Sequence, residues 1–327
     1  MTSTSTPSST STGAGPTVGG PRRRARSTFG PLDVALFVAL SLSWGLSFLF
    51  IKVAVAEVSP AWIVTARTAI GGAVLAVLLR VRGRPWPRGA TMWRHLAVLA
   101  VIGNAIPWGA VAWAQQAIPS GLSAVVNSLV PMSTLVVAAA VGVERLSVRR
   151  VVGLLAGLAG TAVVVAGEVG APERTAAVLV VAAATLLYGS TAVYAKRYVS
   201  DQLPALSVAA GQVLLACAVT LPVAAVLGPT PQVGELSAGA IGSLLALGVF
   251  GTGIAFLLFY LLIERVGPTS TTMVTHVIPV VGVAAGWLFL GERLGPNVLL
   301  GAALILVGVT LAQRQKVADE PAAAPRG

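Results

Sequence analysis

Long apolar runs alternate with short polar breaks along almost the whole chain. A spanning helix needs about 20 mostly apolar residues, because each residue rises 1.5 Å and the hydrocarbon layer is about 30 Å thick. Ten runs meet that length, starting near Val34, Ala61, Leu96, Leu122, Val151, Ala176, Ala205, Ala238, Thr271 and Val298. Breaks fall at Pro60, Pro119 to Gly121, Gly170 to Pro172, Pro204, Gly228 to Pro231, Gly267 to Pro268 and Gly295 to Pro296, where Pro and Gly interrupt helices. Residues 1–32 break the pattern: Ser, Thr, Gly and Pro lead into Arg22, Arg23, Arg24 and Arg26. They are expected to form a disordered cytoplasmic tail, as are residues 317–327.

The runs are not independent of one another. At an offset of 144 residues, Trp44-Gly45 matches Tyr188-Gly189, Ser47 matches Thr191, Lys52 matches Lys196, Glu57 matches Asp201 and Pro60 matches Pro204. At an offset of 148, Gly103 matches Gly251, Pro131 matches Pro279, Glu144-Arg145-Leu146 matches Glu292-Arg293-Leu294, Gly153 matches Gly301 and Gly160 matches Gly308. One small indel accounts for the change of offset. The expectation is an all-α integral membrane protein with ten transmembrane helices arranged as two inverted five-helix repeats, residues 33–170 and 171–316. An odd number of spans per unit reverses the second unit and directs attention to a midplane site between the halves.

Composition narrows the solvent. With 56% hydrophobic and 10% charged residues and a mean hydropathy of +0.86, the 327-residue chain cannot hide its apolar surface in one soluble core, so lipid is a partner. The net charge of +11 sits in clusters between the runs instead of along one basic face, which argues against nucleic acid. Most of the Lys and Arg then fall on one side, which places both termini in the cytoplasm of a multi-pass plasma or inner membrane protein. One cysteine, Cys217, precludes an intrachain disulfide and reads as a small buried hydrophobe. Neither a metal site nor a cofactor is expected.

Trp44-Gly-Leu-Ser-Phe-Leu-Phe-Ile-Lys52, Arg67, and Pro131 followed by Gly142-Val-Glu144-Arg-Leu resemble the EamA domain of the drug/metabolite transporter superfamily. Tyr188 through Pro279 to Gly291-Glu292-Arg-Leu294 resembles a second copy, so the resemblance covers residues 34–312. It implies a ten-helix secondary transporter, often an exporter of amino acids or related metabolites, acting on a small-molecule substrate. The position matching Arg67 is Gly211, beside Gln212, so the second half lacks that charge.

Several polar or aromatic residues lie within apolar runs and are candidates for lining the site. Arg67 is a forked donor suited to a carboxylate, or else a structural cation bonded to carbonyls. Lys52 lies nearer a helix end, where snorkelling is the favoured reading. Pro131 and Pro279 release the carbonyls of Asn127 and Thr275, a pair of kinks expected at a cavity wall or gate. His276 is the candidate for coupling to a proton. Trp44, Trp108, Tyr188 and Tyr260, with Ser47, Asn104 and Gln212, complete a mixed aromatic and polar pocket. Glycines along the fifth and tenth runs suggest close helix packing within a monomer, or in a homodimer. The competing classes, an intramembrane enzyme or a structural membrane protein, would need catalytic groups at depth or no site at all.

Overall fold

The computed structural model describes residues 30–142, 146–167, 171–199, 202–266, 271 and 274–313. Residues 1–29 of the expected first tail, the whole of the second tail, Glu144, Arg145, Asp201, the break at Gly267 to Pro268 and the side chain of Tyr260 lie outside the described residues, and Pro31 and Leu32, assigned to the tail by the sequence, begin α1 instead. What is described is helical and contains no strand. The helices are α1 (Pro31–Ala54), α2 (Pro60–Val81), α3 (Ala90–Ala114), α4 (Ser120–Ala140), α5 (Val148–Gly167), α6 (Pro172–Tyr198) and α7 (Ala205–Leu227). They are followed by α8 (Ala238–Gly248, continued through Val249–Ile254 and Ala255–Val266), α9 (Val274–Leu290) and α10 (Pro296–Gln313).

The first eight are long and apolar enough to cross a membrane, and α9 and α10 are shorter apolar helices. The described part of α9 holds 17 residues, about 25 Å at 1.5 Å per residue, short of a hydrocarbon core of about 30 Å. Helix starts follow local chemistry. Pro occupies the first turn of α1, α2 and α6, where no intrahelical donor is lost, and Pro119 and Pro204 cap α4 and α7.

Two helices carry a π-helical turn, Val101–Ala105 in α3 and Val249–Ile254 in α8. Each turn inserts one extra residue and redirects backbone groups. They surround Gly103 and Gly251, the glycines that pair at the 148 offset. The two prolines of the other matched pair sit in different local geometry. Helix α4 is interrupted before Pro131, the Ser128 and Leu129 amides turning back to the Val125 and Val126 carbonyls at 3.1 Å, whereas α9 stays helical through Pro279. The tighter three-residue closure lets α4 shed the bond that Pro131 cannot make.

The helices pair across the chain: α5 with α10, α2 with α7, α1 with α8 and α9, and α6 with α3 and α4. Each pairing has a counterpart when helices one to five are exchanged with six to ten. The α5–α10 seam is built from glycines. A Cβ on Gly153 would lie 2.6 Å from the Gly308 carbonyl oxygen, and one on Gly160 would lie 2.7 Å from that of Gly301. The small-residue face is therefore used within the monomer. Elsewhere, buried hydroxyls return to their own helix. Ser41, Ser47, Thr65 and Thr68 each donate to the carbonyl four residues back, which satisfies them without water.

Polar ties join the two halves at the ends of the bundle. Asp33, buried at the start of α1, accepts hydrogen bonds from the Gly30 amide and from Arg265 at the end of α8. In the α1–α2 turn, Glu57 accepts from the amide (2.8 Å) and hydroxyl (2.5 Å) of Ser237, the N-cap of α8. Those two donors hold the exposed Glu57 carboxyl below its ordinary range.

Candidate functional site

Arg67 lies two turns into α2 and is buried. A cation at that depth persists only when its donors are occupied. Its Nε donates to Thr252 Oγ1 (3.1 Å), its Nη2 donates to the Gly251 carbonyl (3.3 Å), and its guanidinium lies 3.8 Å from the centre of the Trp108 ring. Both acceptors belong to the π turn of α8. Thr252 in turn donates to the Leu247 carbonyl, five residues back, at 3.1 Å. The phenol of Tyr188 lies beside the Trp108 indole and within electrostatic range of Arg67. Ser47 borders the same turn: a Cβ on Gly251 would lie 2.5 Å from the Ser47 Oγ, so the absence of a side chain at Gly251 makes room for Ser47.

A second polar bracket repeats this plan. Gln212, on α7, donates to Asn104 Oδ1 (2.5 Å) and to the Leu99 carbonyl (3.4 Å). Asn104 belongs to the π turn of α3, and Thr191 on α6 crowds Gly103 as Ser47 crowds Gly251. Thr252 and Asn104 stand at the 148 offset, Ser47 and Thr191 at 144. Sequence pairing sets Gly211 against Arg67, but Gly211 faces Leu96 and Pro87, and Gln212 makes the equivalent contacts. The second half thus lacks the charge and retains a donor. Asn104 Nδ2 is buried with no hydrogen-bond partner among the described residues, an unmet donor beside the bracket.

Six expected residues fall outside these two brackets. Trp44 packs on Phe259, ring centres 5.4 Å apart. Asn127 closes the first half of α4, and Thr275 and His276 lie at the start of α9; α4 and α9 pack on each other. Pro131 opens the second half of α4 and Pro279 is buried within α9. Thr252 escaped the sequence reading, although its 148-offset match to Asn104 was available as a signal. Lys52 does not snorkel: its ammonium donates to the Gln115 (2.6 Å) and Ile118 (3.0 Å) carbonyls. Two cavities lie away from both brackets, one of about 420 Å³ lined by Trp86, Arg88 and Gln202, the other of about 250 Å³ beside Met132 and Thr185.

The model of the EamA-like transporter family matches residues 32–166 and again residues 175–313. The chain belongs to the EamA-like transporter family. This EamA-like transporter is 26% identical over 286 residues to an uncharacterized transporter of Archaeoglobus fulgidus, covering 86% of its own length and 99% of the relative. It is 29% identical to the uncharacterized inner membrane transporter YedA of Escherichia coli K12, over 86% of this chain and 90% of the relative. A probable terminal-alkyne amino-acid exporter of Streptantibioticus cattleyicolor is 24% identical over 84% of this chain and 91% of its own. In fold, the EamA-like transporter is similar to a crystal structure at 23% sequence identity, with a TM-score of 0.60 over 86% of this chain and 96% of the other. It is a multi-pass membrane protein of a transporter family.

Proposed function

We propose that the protein is a secondary transporter that exports small metabolites such as amino acids, working by alternating access between two inverted five-helix repeats with ten spans and both termini in the cytoplasm. The observation that carries this reading is the pair of brackets, Arg67 on the α8 π turn and Gln212 on the α3 π turn. Each links one half to the other, and each maps onto its partner when the halves are exchanged. The symmetric helix pairings support the inverted arrangement.

Within this reading Arg67 is the carboxylate clamp. Nε and Nη2 hold the α8 turn, which leaves Nη1 for a substrate anion over the Trp108 face, while Asn104 Nδ2 serves as a neutral donor. A relative described as a probable terminal-alkyne amino-acid exporter is in keeping with such a substrate. His276, half-buried near the start of α9, is the candidate proton-coupling group. The test is counterflow in proteoliposomes against amino acids, amines and nucleobases. Saturable counterflow of a carboxylate substrate, lost in Arg67→Ala while any neutral substrate is retained, is the expected result; no counterflow with any pool rejects the transport reading. Proton-driven uptake that persists in His276→Gln removes the coupling role.

A further inference from the structure

The turn between α3 and α4, residues 115–121, is gripped from both sides by opposite charges. At its α3 end the carbonyls of Gln115 and Ile118 receive the Lys52 ammonium from α1. At its α4 end the amides of Ser120 (2.7 Å) and Gly121 (3.0 Å), together with the Ser120 hydroxyl (3.0 Å), donate to the Glu292 carboxylate from the α9–α10 loop. Each ion sits at the helix terminus whose partial charge it complements, a cation at the end of α3 and an anion at the start of α4. The first-half ion acts within its own repeat, and the second-half ion reaches across to the other.

Backbone geometry aims Glu292 at this target. Gly291 ends α9 with φ +64°, a left-handed conformation that favours glycine, and the Glu292 amide turns back to the Gly286 carbonyl at 3.0 Å. Gly286 itself makes room, since a Cβ there would collide with Glu292 Oε2 and lie 2.9 Å from Ser120 Oγ. Beneath the clasp, the fully buried Gln115 side-chain amide has no hydrogen-bond partner on either atom among the described residues. An unmet buried amide is costly, and release of the turn would let it find partners.

Resting on the transport reading, we propose that Lys52 and Glu292 clasp the α3–α4 turn to close this end of the transport path, and that detachment of Glu292 from Ser120 and Gly121 opens it. They are positioning residues, remote from the substrate itself. In a Cys217→Ser background, Ser47→Cys supplies a reporter thiol deep in the bundle beside Gly251. A charged methanethiosulfonate that does not cross lipid is applied to right-side-out and to inside-out membrane vesicles. Glu292→Gln should raise the labelling rate about tenfold from the face carrying the α3–α4 turn and leave the other face unchanged, the population shift that follows loss of a charge-assisted hydrogen bond. Gly286→Ala, which displaces the carboxylate sterically, should act in the same direction and decides the matter if the first variant does not fold. Labelling that is unchanged, or that rises equally from both faces, overturns the clasp. Counterflow by the reporter-free Cys217→Ser protein is measured in parallel. Counterflow combined with unchanged labelling overturns the clasp alone, whereas absent counterflow overturns the transport reading.

Discussion

Arg67 combines three interactions that a lysine cannot reproduce: two differently directed donors and a flat face on Trp108. Arg67→Lys is therefore expected to lower carboxylate counterflow by about tenfold to a hundredfold, the worth of a charge-assisted hydrogen bond, with neutral substrates unaffected. Glu57 gives a pH prediction. Its carboxyl lies below the ordinary range in the folded protein, so its contribution is present above the unfolded carboxylate value and is lost as pH falls through the folded one. Thermal midpoints of the parent and Glu57→Gln in detergent should differ near neutral pH and converge in acid. Arg67 was legible in the sequence because a cation within a span is rare. Lys52 was not, because its acceptors lie 63 and 66 residues away, a separation that no local pattern reports.

Among the elements, the α5–α10 seam is the least forgiving. At Gly160 the neighbour of an added Cβ is the Gly301 backbone, which cannot rotate aside as a side chain can. Gly160→Ala should destabilise the protein by about 1–3 kcal/mol through overpacking, read as a lowered midpoint of thermal unfolding in detergent. Helix ends at Pro60, Pro172, Pro204 and Pro296 followed directly from proline's fixed φ and missing donor. The π turns did not, even with Gly103 and Gly251 matched. A glycine permits close approach, but whether the helix takes in an extra residue depends on what packs there, and Thr191 and Ser47 come from distant helices. The interruption of α4 shows the same limit, since Pro131 and Pro279 read alike locally and only one of them follows a break.

At the scale of the whole molecule, the halves are joined at more than one level, and the joints use different chemistry. Asp33 is buried while Arg265 is partly exposed, so Asp33→Asn leaves the cation largely to solvent. A loss of about 1–2 kcal/mol is expected, as for a partly screened charge-assisted bond, and a smaller one at high salt; unfolding midpoints across ionic strength check both. Duplication was readable from ordered Pro, Gly and Glu-Arg-Leu matches, whereas the pairing of Arg67 with Gln212 needed three dimensions because the offset slips by one residue within α7. That pairing carries a kinetic consequence. One bracket presents a permanent cation and the other only amides, so under the proposed inverted arrangement an anionic cargo would meet an energy landscape that is lopsided along the membrane normal. Half-saturation measured from the two faces of the bilayer should then be unequal, tighter where Arg67 is exposed to the bulk, and Arg67→Gln should bring the two values together.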